Sequence, residues 1–202
     1  MVTIVDYKIG NLGSIENMLK KIGSPCEITS DPEKLKLAEK VILPGVGAFD
    51  SGIESLKKYN LLEVLNDKVL KEKVPILGIC LGSQLLCKES EEGKLKGLGW
   101  IDAKVKKFNF MDRQYKVPHI GWNYTSLQKE SKLFKNMYED PKFYFVHSFY
   151  MDVKDNSGLT KTQYSFNFDS AVEKDNILGV QFHPEKSHKF GMKLLENFVR
   201  EY

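Results

Sequence analysis

The chain has 202 residues, which suits one domain spanning residues 1–202 that folds around its own core without disulfides. Its 30 basic and 27 acidic residues are interleaved and leave a net charge of +3, which argues against a nucleic-acid-binding protein. The three cysteines, Cys26, Cys80 and Cys87, are too few for a disulfide framework and suit a reducing compartment. No segment is long and apolar enough to span a membrane and the N-terminus does not resemble a signal peptide, so we expect a cytoplasmic protein.

The first half of the chain alternates short apolar runs with amphipathic helical patterns. The predicted strands are 2–5, 26–29, 41–43 and 74–79, and the predicted helices include 15–22, 49–56 and 61–70. The run 74–79 is almost wholly apolar, as expected of a parallel strand buried on both faces. This alternation predicts βαβ units and therefore an α/β fold, with a mostly parallel central sheet and helices on both faces.

The pattern changes in the second half of the chain. From residue 98 to 168 it is typical of strands and turns, including 143–150 and 160–168, and predicts an antiparallel extension on the same domain. After Ser187 apolar residues recur on one helical face and predict a closing helix. We find no internal repeat, linker or low-complexity segment in the sequence.

Cys80 lies where the most apolar strand ends and a helix is predicted to begin. Gly78 and Gly82 flank it at minus two and plus two, which is the spacing of a nucleophile elbow with cysteine in place of serine. Side chains at those positions would collide with neighbouring backbone in so tight a turn. The turn would place the sulfur among free backbone N–H groups that favour a thiolate, with the amide of Leu81 as an oxyanion donor. The other two cysteines lack these flanking glycines, so we expect them to be inert.

A thiol nucleophile needs a general base, and the base needs a group that orients it. His183 follows a predicted strand and is followed by Pro184 and Glu185. Side chains two residues apart in an extended segment point the same way, and proline keeps its preceding neighbour out of the helical region. We therefore predict that His183 is the base and that Glu185 orients it. No cysteine–histidine group has zinc spacing, so we expect no metal and no cofactor.

Four segments together resemble a known family. Gly-Ile-Cys-Leu-Gly-Ser-Gln at 78–84 and Gln-Phe-His-Pro-Glu at 181–185 resemble the class I glutamine amidotransferases, in the order Cys, His, Glu. Pro-Gly-Val-Gly-Ala-Phe at 44–49 and Pro-His-Ile-Gly-Trp-Asn at 118–123 resemble the branch of glutaminase subunits that serve imidazole glycerol phosphate synthase, of histidine biosynthesis. The resemblance runs from Asp6 to the closing helix and implies a flavodoxin-like class I glutaminase fold.

The resemblance also implies roles for further residues. An amide near Val46 and Gly47 would supply the second oxyanion donor beside that of Leu81. The residues implied to bind glutamine are Gly45, Gln84, Glu92, Ser148 and Phe149. The residues implied to face a partner are Asn11, Trp122, Tyr144 and Lys186. The implied partner is a (β/α)8-barrel synthase subunit, which forms a heterodimer with the chain and receives its ammonia.

The predicted function is the hydrolysis of glutamine to glutamate and ammonia through Cys80, His183 and Glu185, with ammonia passed to the synthase. One alternative keeps this chemistry but feeds a related synthase of surface sugars, because 188–192 resembles those relatives at least as well. A second alternative is a stand-alone cysteine amidase or peptidase on a similar fold. A third is a non-catalytic redox or binding protein of flavodoxin-like architecture, for which the sequence offers no Gly-rich phosphate loop.

Overall fold

The computed structural model describes residues 1–112 and 114–202. The helices are α1 (Leu12–Lys21), α2 (Pro32–Leu35), α3 (Phe49–Lys58), α4 (Leu61–Asn66), α5 (Leu81–Leu85) and α6 (His188–Glu201). The strands are β1 (Val2–Val5), β2 (Cys26–Thr29), β3 (Lys40–Gly45), β4 (Ile76–Cys80), β5 (Glu89–Ser90), β6 (Ala103–Lys107), β7 (His119–Tyr124), β8 (Ser126–Leu127), β9 (Lys142–His147), β10 (Phe149–Val153), β11 (Gly158–Tyr164), β12 (Phe166–Lys174) and β13 (Ile177–Val180). None of the helices in the described residues is long and apolar enough to cross a membrane.

Parallel strands make up one half of the main sheet, in the spatial order β2, β1, β3, β4, β13. Every residue of β4 is buried, as its apolar run predicts. Successive residues of β3 belong to two separate cores, because alternate side chains of a strand point to opposite faces of the sheet. Leu43 packs in the core shared with α3, α4 and α5, whereas Ile42 packs in the core shared with α1 and α6. The predicted α/β fold, with helices on both faces of a mostly parallel sheet, is confirmed.

The antiparallel extension continues the same sheet beyond β13, through β12, β10 and β6. β7 and β9 form a separate antiparallel ribbon, in which His119 lies opposite His147. Two predicted strands were wrong in their bounds. The run 143–150 divides at Ser148 into β9 and β10, which lie in different sheets, and 160–168 divides at Ser165 into β11 and β12. Ser165 has a φ of 65°, a turn conformation that reverses the chain between these two paired strands.

Two local elements also differ from the prediction. The helix predicted over 61–70 is regular only to Asn66 and continues as the π-helical turn Asp67–Lys71. The extended conformation predicted for 183–185 was wrong beyond its first residue. His183 is extended, but Pro184–Lys186 is a turn of 3-10 helix. The ring of Pro184 restrains the residue before it as predicted, yet its fixed φ also suits the first position of a helical turn.

The carboxyl ends of three neighbouring parallel strands meet at one edge of the sheet. Gly45, the last residue of β3, lies opposite Cys80, the last residue of β4. On the other side of β4, Val180 at the end of β13 lies opposite Ile79. The segments that follow these strands are therefore brought together at the edge where open α/β sheets commonly place their ligands.

Candidate active site

The backbone of Cys80 turns sharply between β4 and α5, with φ of 54° and ψ of −111°. A positive φ is unfavourable for a residue with a side chain and persists only where the surrounding structure imposes it. A Cβ on Gly78 would lie 2.8 Å from the carbonyl oxygen of Gly82 and from the backbone of Ser83, and a Cβ on Gly82 would overlap the carbonyl oxygen of Leu43. Both flanking glycines are therefore needed for this turn.

His183 and Glu185 form a buried pair behind the cysteine. Nδ1 of the imidazole lies 2.7 Å from Oε1 of the carboxylate, and each side chain is only 2% exposed. The backbone is held by His183 N–H donating to the Tyr144 carbonyl and by the Ser187 hydroxyl donating to the His183 carbonyl. Because Nδ1 is occupied by the carboxylate, the other ring nitrogen, Nε2, is left for a reacting group; it is buried and makes no hydrogen bond within the described part of the chain.

The charge of His183 follows from its neighbours. Burial lowers the pKa of this imidazole, but the adjacent Cys80 sulfur and Glu185 carboxylate together outweigh burial and raise the pKa to about 9. The ring is therefore cationic at neutral pH. The site can therefore hold a nucleophilic sulfur and an acid that is ready to protonate a leaving group.

Cys80 and His183 line a cavity of about 590 Å³. The other predicted site residues that line it are Val46, Gly47, Leu81, Gln84, Glu92, Ser148, Phe149 and Lys186. Gly45 does not line this cavity, because it lies within β3 and is buried. A larger cavity of about 830 Å³ lies near Pro75 and Asn176, which precede β4 and β13 at the opposite edge of the sheet. Its lining residues, as far as the structure describes them, include no cysteine or histidine.

The loop 46–48 forms one wall of the cavity between β3 and α3. Gly47 has a φ of 103°, and a Cβ there would meet no atom within 4 Å. Glycine is therefore favoured because of its backbone conformation, since a side chain would not clash with neighbouring atoms. Val46 is 46% exposed. Oε2 of Glu92 accepts a hydrogen bond of 2.8 Å from the N–H of Phe49, the first residue of α3. The carboxylate of Glu92 therefore links the cavity to the end of the loop.

Two residues at the site were missed from the sequence. Gln181 is fully buried, and its amide nitrogen lies 3.8 Å from the sulfur of Cys80. Its amide oxygen accepts a hydrogen bond of 2.9 Å from Gln84. The signal for Gln181 was present, since it precedes His183 by two residues along an extended segment. His147, which also lines the cavity, had no comparable signal, because its place depends on the pairing of β7 with β9.

Three of the four residues predicted to face a partner lie together beside the cavity. The rings of Trp122 and Tyr144 meet edge to face at a centroid distance of 6.2 Å, and Nζ of Lys186 lies 5.8 Å from the Tyr144 ring centroid. We call Trp122, Tyr144 and Lys186 the aromatic rim. Trp122 is 42% exposed and stacks on His188 at 5.3 Å. Asn11, the fourth residue, is exposed and lies just before α1.

The sequence model of the family described as "Glutamine amidotransferase class-I" matches residues 3–202. A protein of Methanococcus maripaludis named "Imidazole glycerol phosphate synthase subunit HisH 2" is 55% identical over 202 residues, with 100% of each chain covered. A protein of Pseudomonas aeruginosa with the same name is 48% identical over 200 residues, with 98% of each chain covered.

Solved structures with a similar fold are more distant in sequence. A structure titled "Crystal structure of glutamine amidotransferase" has a TM-score of 0.76 at 17% identity and covers 98% of this chain and 96% of its own. The "Structure of PurLQS from Thermotoga maritima" has a TM-score of 0.75 at 18% identity and covers 99% of this chain and 97% of its own. These similarities extend over the parallel half of the sheet and the antiparallel extension together.

Replacing Gly82 by alanine tests the packing of the turn at Cys80. The new Cβ would overlap the Leu43 carbonyl oxygen, which belongs to the backbone of a central strand and cannot move cheaply. We expect Gly82→Ala to lower the free energy of unfolding by at least about 2 kcal/mol, measured by urea denaturation. Gly13→Ala is the matched control, because Gly13 lies in α1 with no atom within 4 Å of a new Cβ.

The control substitution should raise the free energy of unfolding by up to about 1 kcal/mol, because alanine favours the helical conformation. Equal effects of Gly82→Ala and Gly13→Ala would contradict the role assigned to the close contact.

Proposed function

The chain belongs to the class I glutamine amidotransferase family, and we propose that it is the glutaminase subunit of an imidazole glycerol phosphate synthase. In this role it hydrolyses glutamine to glutamate and ammonia. The observation that carries the proposal is that Cys80 and His183 line one cavity, with Glu185 paired to the far nitrogen of His183. The relatives named as HisH subunits of that synthase, which the chain matches over its whole length, support the choice of pathway.

The first half of the proposed reaction forms a thioester. The Cys80 thiolate attacks the side-chain carboxamide carbon of glutamine, and the carbonyl oxygen becomes an oxyanion. The N–H of Leu81 opens α5 and has no partner within that helix, so it can donate to this oxygen. A second donor comes from the loop at Val46 and Gly47. His183, cationic at neutral pH, then gives its Nε2 proton to the nitrogen that leaves as ammonia.

The second half of the reaction releases glutamate. After ammonia has left, the neutral imidazole of His183 takes a proton from water, and the resulting hydroxide attacks the thioester carbon. The carbon–sulfur bond breaks, and Cys80 is restored with glutamate as the product. Glu185 keeps Nδ1 occupied through both halves, so that Nε2 faces the reacting atoms.

The rest of the cavity suits the charged end of glutamine. We assign the substrate's ammonium group to the carboxylate of Glu92, which lines the cavity and uses one oxygen on Phe49. Gln84 and the backbone of Ser148 and Phe149 form the wall beside it. Gly45 is assigned a supporting role, because it is buried at the end of β3 next to Cys80 and carries the loop that follows.

The aromatic rim is the proposed docking surface for the (β/α)8-barrel synthase subunit. Tryptophan and tyrosine are enriched at protein interfaces, and Trp122 of the rim is exposed while Tyr144 is half-buried. Lys186 belongs to both the rim and the cavity wall, so a partner seated on the rim covers the mouth of the cavity. Ammonia released at Cys80 then passes to the partner without meeting bulk water. We propose that Asn11, just before α1, extends this surface. We also propose that the heterodimer works in the cytoplasm.

Replacing Cys80 by alanine in the purified complex tests the proposal directly. Glutamine-dependent synthesis from the histidine-pathway intermediate should be abolished, because the proposed nucleophile is removed. Added ammonium salt should still drive the partner's reaction at the wild-type rate, because Cys80→Ala leaves the acceptor site untouched. Cys87→Ala is the matched control and should keep both activities, since Cys87 is fully buried and lies outside the cavity.

Three results would redirect the proposal. Loss of both activities in a correctly assembled Cys80→Ala complex would show that this subunit also builds the acceptor site. A wild-type complex that consumes glutamine but leaves the histidine-pathway intermediate unchanged would favour the sugar-modifying pathway. Hydrolysis of peptides in place of free glutamine would favour a stand-alone peptidase.

The pH dependence of glutamine hydrolysis tests the role of His183. Its pKa is raised to about 9, so the acid that protonates the leaving nitrogen is present below that pH and lost as the pH rises through it. We expect kcat/KM of the complex to fall above about pH 9. Glu185→Gln removes a charge that raises this pKa, so the alkaline fall should move to lower pH. The rate at neutral pH should also drop by about 10²–10⁴.

The matched control for this measurement is Glu33→Gln. Glu33 is an exposed carboxylate that pairs with Lys36 and does not line the cavity, so the pH profile should not change. A Glu185→Gln complex with the wild-type rate and profile would overturn the assignment of Glu185.

A further inference from the structure

Two buried histidines take no part in the proposed reaction. His119 in β7 and His147 in β9 lie directly opposite each other, with His119 Nδ1 3.0 Å from His147 Nε2. On its other side, His147 Nδ1 lies 2.7 Å from the carbonyl oxygen of Phe149. Burial lowers the pKa of His119 to about 4 and that of His147 to about 3. Both imidazoles are therefore neutral at pH 7, and each carries a single N–H.

The carbonyl of Phe149 fixes which nitrogen carries each proton. Because a carbonyl oxygen only accepts, the proton of His147 must lie on Nδ1, and its Nε2 must accept. His119 then donates from Nδ1, which leaves its own Nε2 as an acceptor. That nitrogen lies 3.3 Å from the amide nitrogen of Asn123, which also donates to the carbonyl of Gln163 at 3.0 Å. Each of these contacts therefore pairs one donor with one acceptor.

The same carbonyl anchors a second branch that ends at the nucleophile. Gln84 donates to Phe149 from its amide nitrogen at 3.2 Å and to the amide oxygen of Gln181 at 2.9 Å. Gln181 is thereby oriented with its amide nitrogen toward the sulfur of Cys80, at 3.8 Å. Turning either amide over would place donors against donors or acceptors against acceptors. The orientation of Gln181 therefore depends on the Phe149 carbonyl.

Building on the proposed function, we propose that this chain of hydrogen bonds positions the Cys80 sulfur and connects it to the partner-facing strand β7. We call it the amide–imidazole chain; it consists of Asn123, His119, His147, the Phe149 carbonyl, Gln84 and Gln181. Gln181 is the positioning residue at the sulfur, where its N–H stabilises the thiolate. Asn123 is the positioning residue at the other end.

The place of Asn123 in β7 explains why the connection reaches the partner. Side chains alternate along the strand, so Trp122 projects into the aromatic rim while Asn123 turns toward His119. A partner that shifts Trp122 also shifts Asn123, and the amide–imidazole chain transmits that shift to the Phe149 carbonyl. Phe149 lines the cavity, so the cavity wall and the donor at Cys80 respond together.

The test is the rate at which iodoacetamide alkylates Cys80 in the full chain at pH 7, followed by mass spectrometry of the Cys80 peptide. Gln181→Met removes the donor at the sulfur and should slow alkylation about tenfold. His119 does not contact Cys80, but His119→Phe should still slow alkylation about threefold, because the amide–imidazole chain loses the hydrogen bond between His119 and His147. Phenylalanine keeps the ring that stacks on Phe145 and Tyr164.

Thr162→Val is the matched control for a lost buried hydrogen bond. Thr162 is buried in the same antiparallel extension and donates to the hydroxyl of Ser170. Neither residue belongs to the amide–imidazole chain. It should lower the melting temperature without changing the alkylation rate. Asn123→Ala disrupts the same end of the amide–imidazole chain at a half-buried position. The test therefore does not depend on whether His119→Phe folds.

The double variant His119→Phe/Gln181→Met tests whether the two substitutions slow alkylation through one connected amide–imidazole chain or independently of each other. If the chain is continuous, the double variant alkylates no more slowly than Gln181→Met; a product of the two single effects would overturn the proposal. Wild-type alkylation rates in both His119→Phe and Asn123→Ala would overturn it too. Alkylation needs neither glutamine nor a partner, so this experiment can fail or succeed independently of the tests of the proposed function.

If β7 transmits the partner's contact to Cys80, binding of the partner should raise kcat for glutamine hydrolysis, and Asn123→Ala should reduce that increase more than it changes KM. An unchanged stimulation would contradict the connection to β7.

Discussion

The site depends on the backbone of one residue. Cys80 is held at a φ of 54° between a buried strand and a short helix, and this conformation directs its sulfur out of the sheet. The strain is possible because Gly78 and Gly82 let the following helix lie directly against strand backbone. Since β4 is central, both neighbouring strands end beside the sulfur, and each contributes the segment that follows it. The loop after β3 and His183 after β13 therefore line the same cavity as Cys80, which is the arrangement that the proposed reaction needs.

Burial and neighbouring charges together set the protonation states of the two histidines in the cavity wall. The carboxylate of Glu185 and the sulfur of Cys80 outweigh the desolvation of His183, whose pKa rises to about 9, whereas His147 in the same cavity wall stays neutral because no charge opposes its burial. The imidazole of His183 therefore carries the proton that the proposed reaction needs. The other can serve as a fixed link between hydrogen-bond partners, with one nitrogen donating and one accepting.

Short-range patterns in the sequence predicted most of the fold and the centre of the site. The spacing of Gly78 and Gly82 around Cys80 is a local requirement, and so is the apolar run that becomes β4. The division of 143–150 at Ser148 was not predictable, because the whole run suits a strand and only tertiary pairing separates β9 from β10. The contacts of His147 likewise depend on its register with β7, which no local pattern encodes.

The central claim is that Cys80, alone among the cysteines, attacks the amide carbon of glutamine. The most direct measurement treats the purified chain with a diazo-ketone analogue of glutamine and locates the label by mass spectrometry. The account predicts one label per chain, on Cys80, with protection by excess glutamine. Cys26 is half-buried in β2 and Cys87 is fully buried, so neither should react. A label on Cys87, or labelling that glutamine does not prevent, would contradict it.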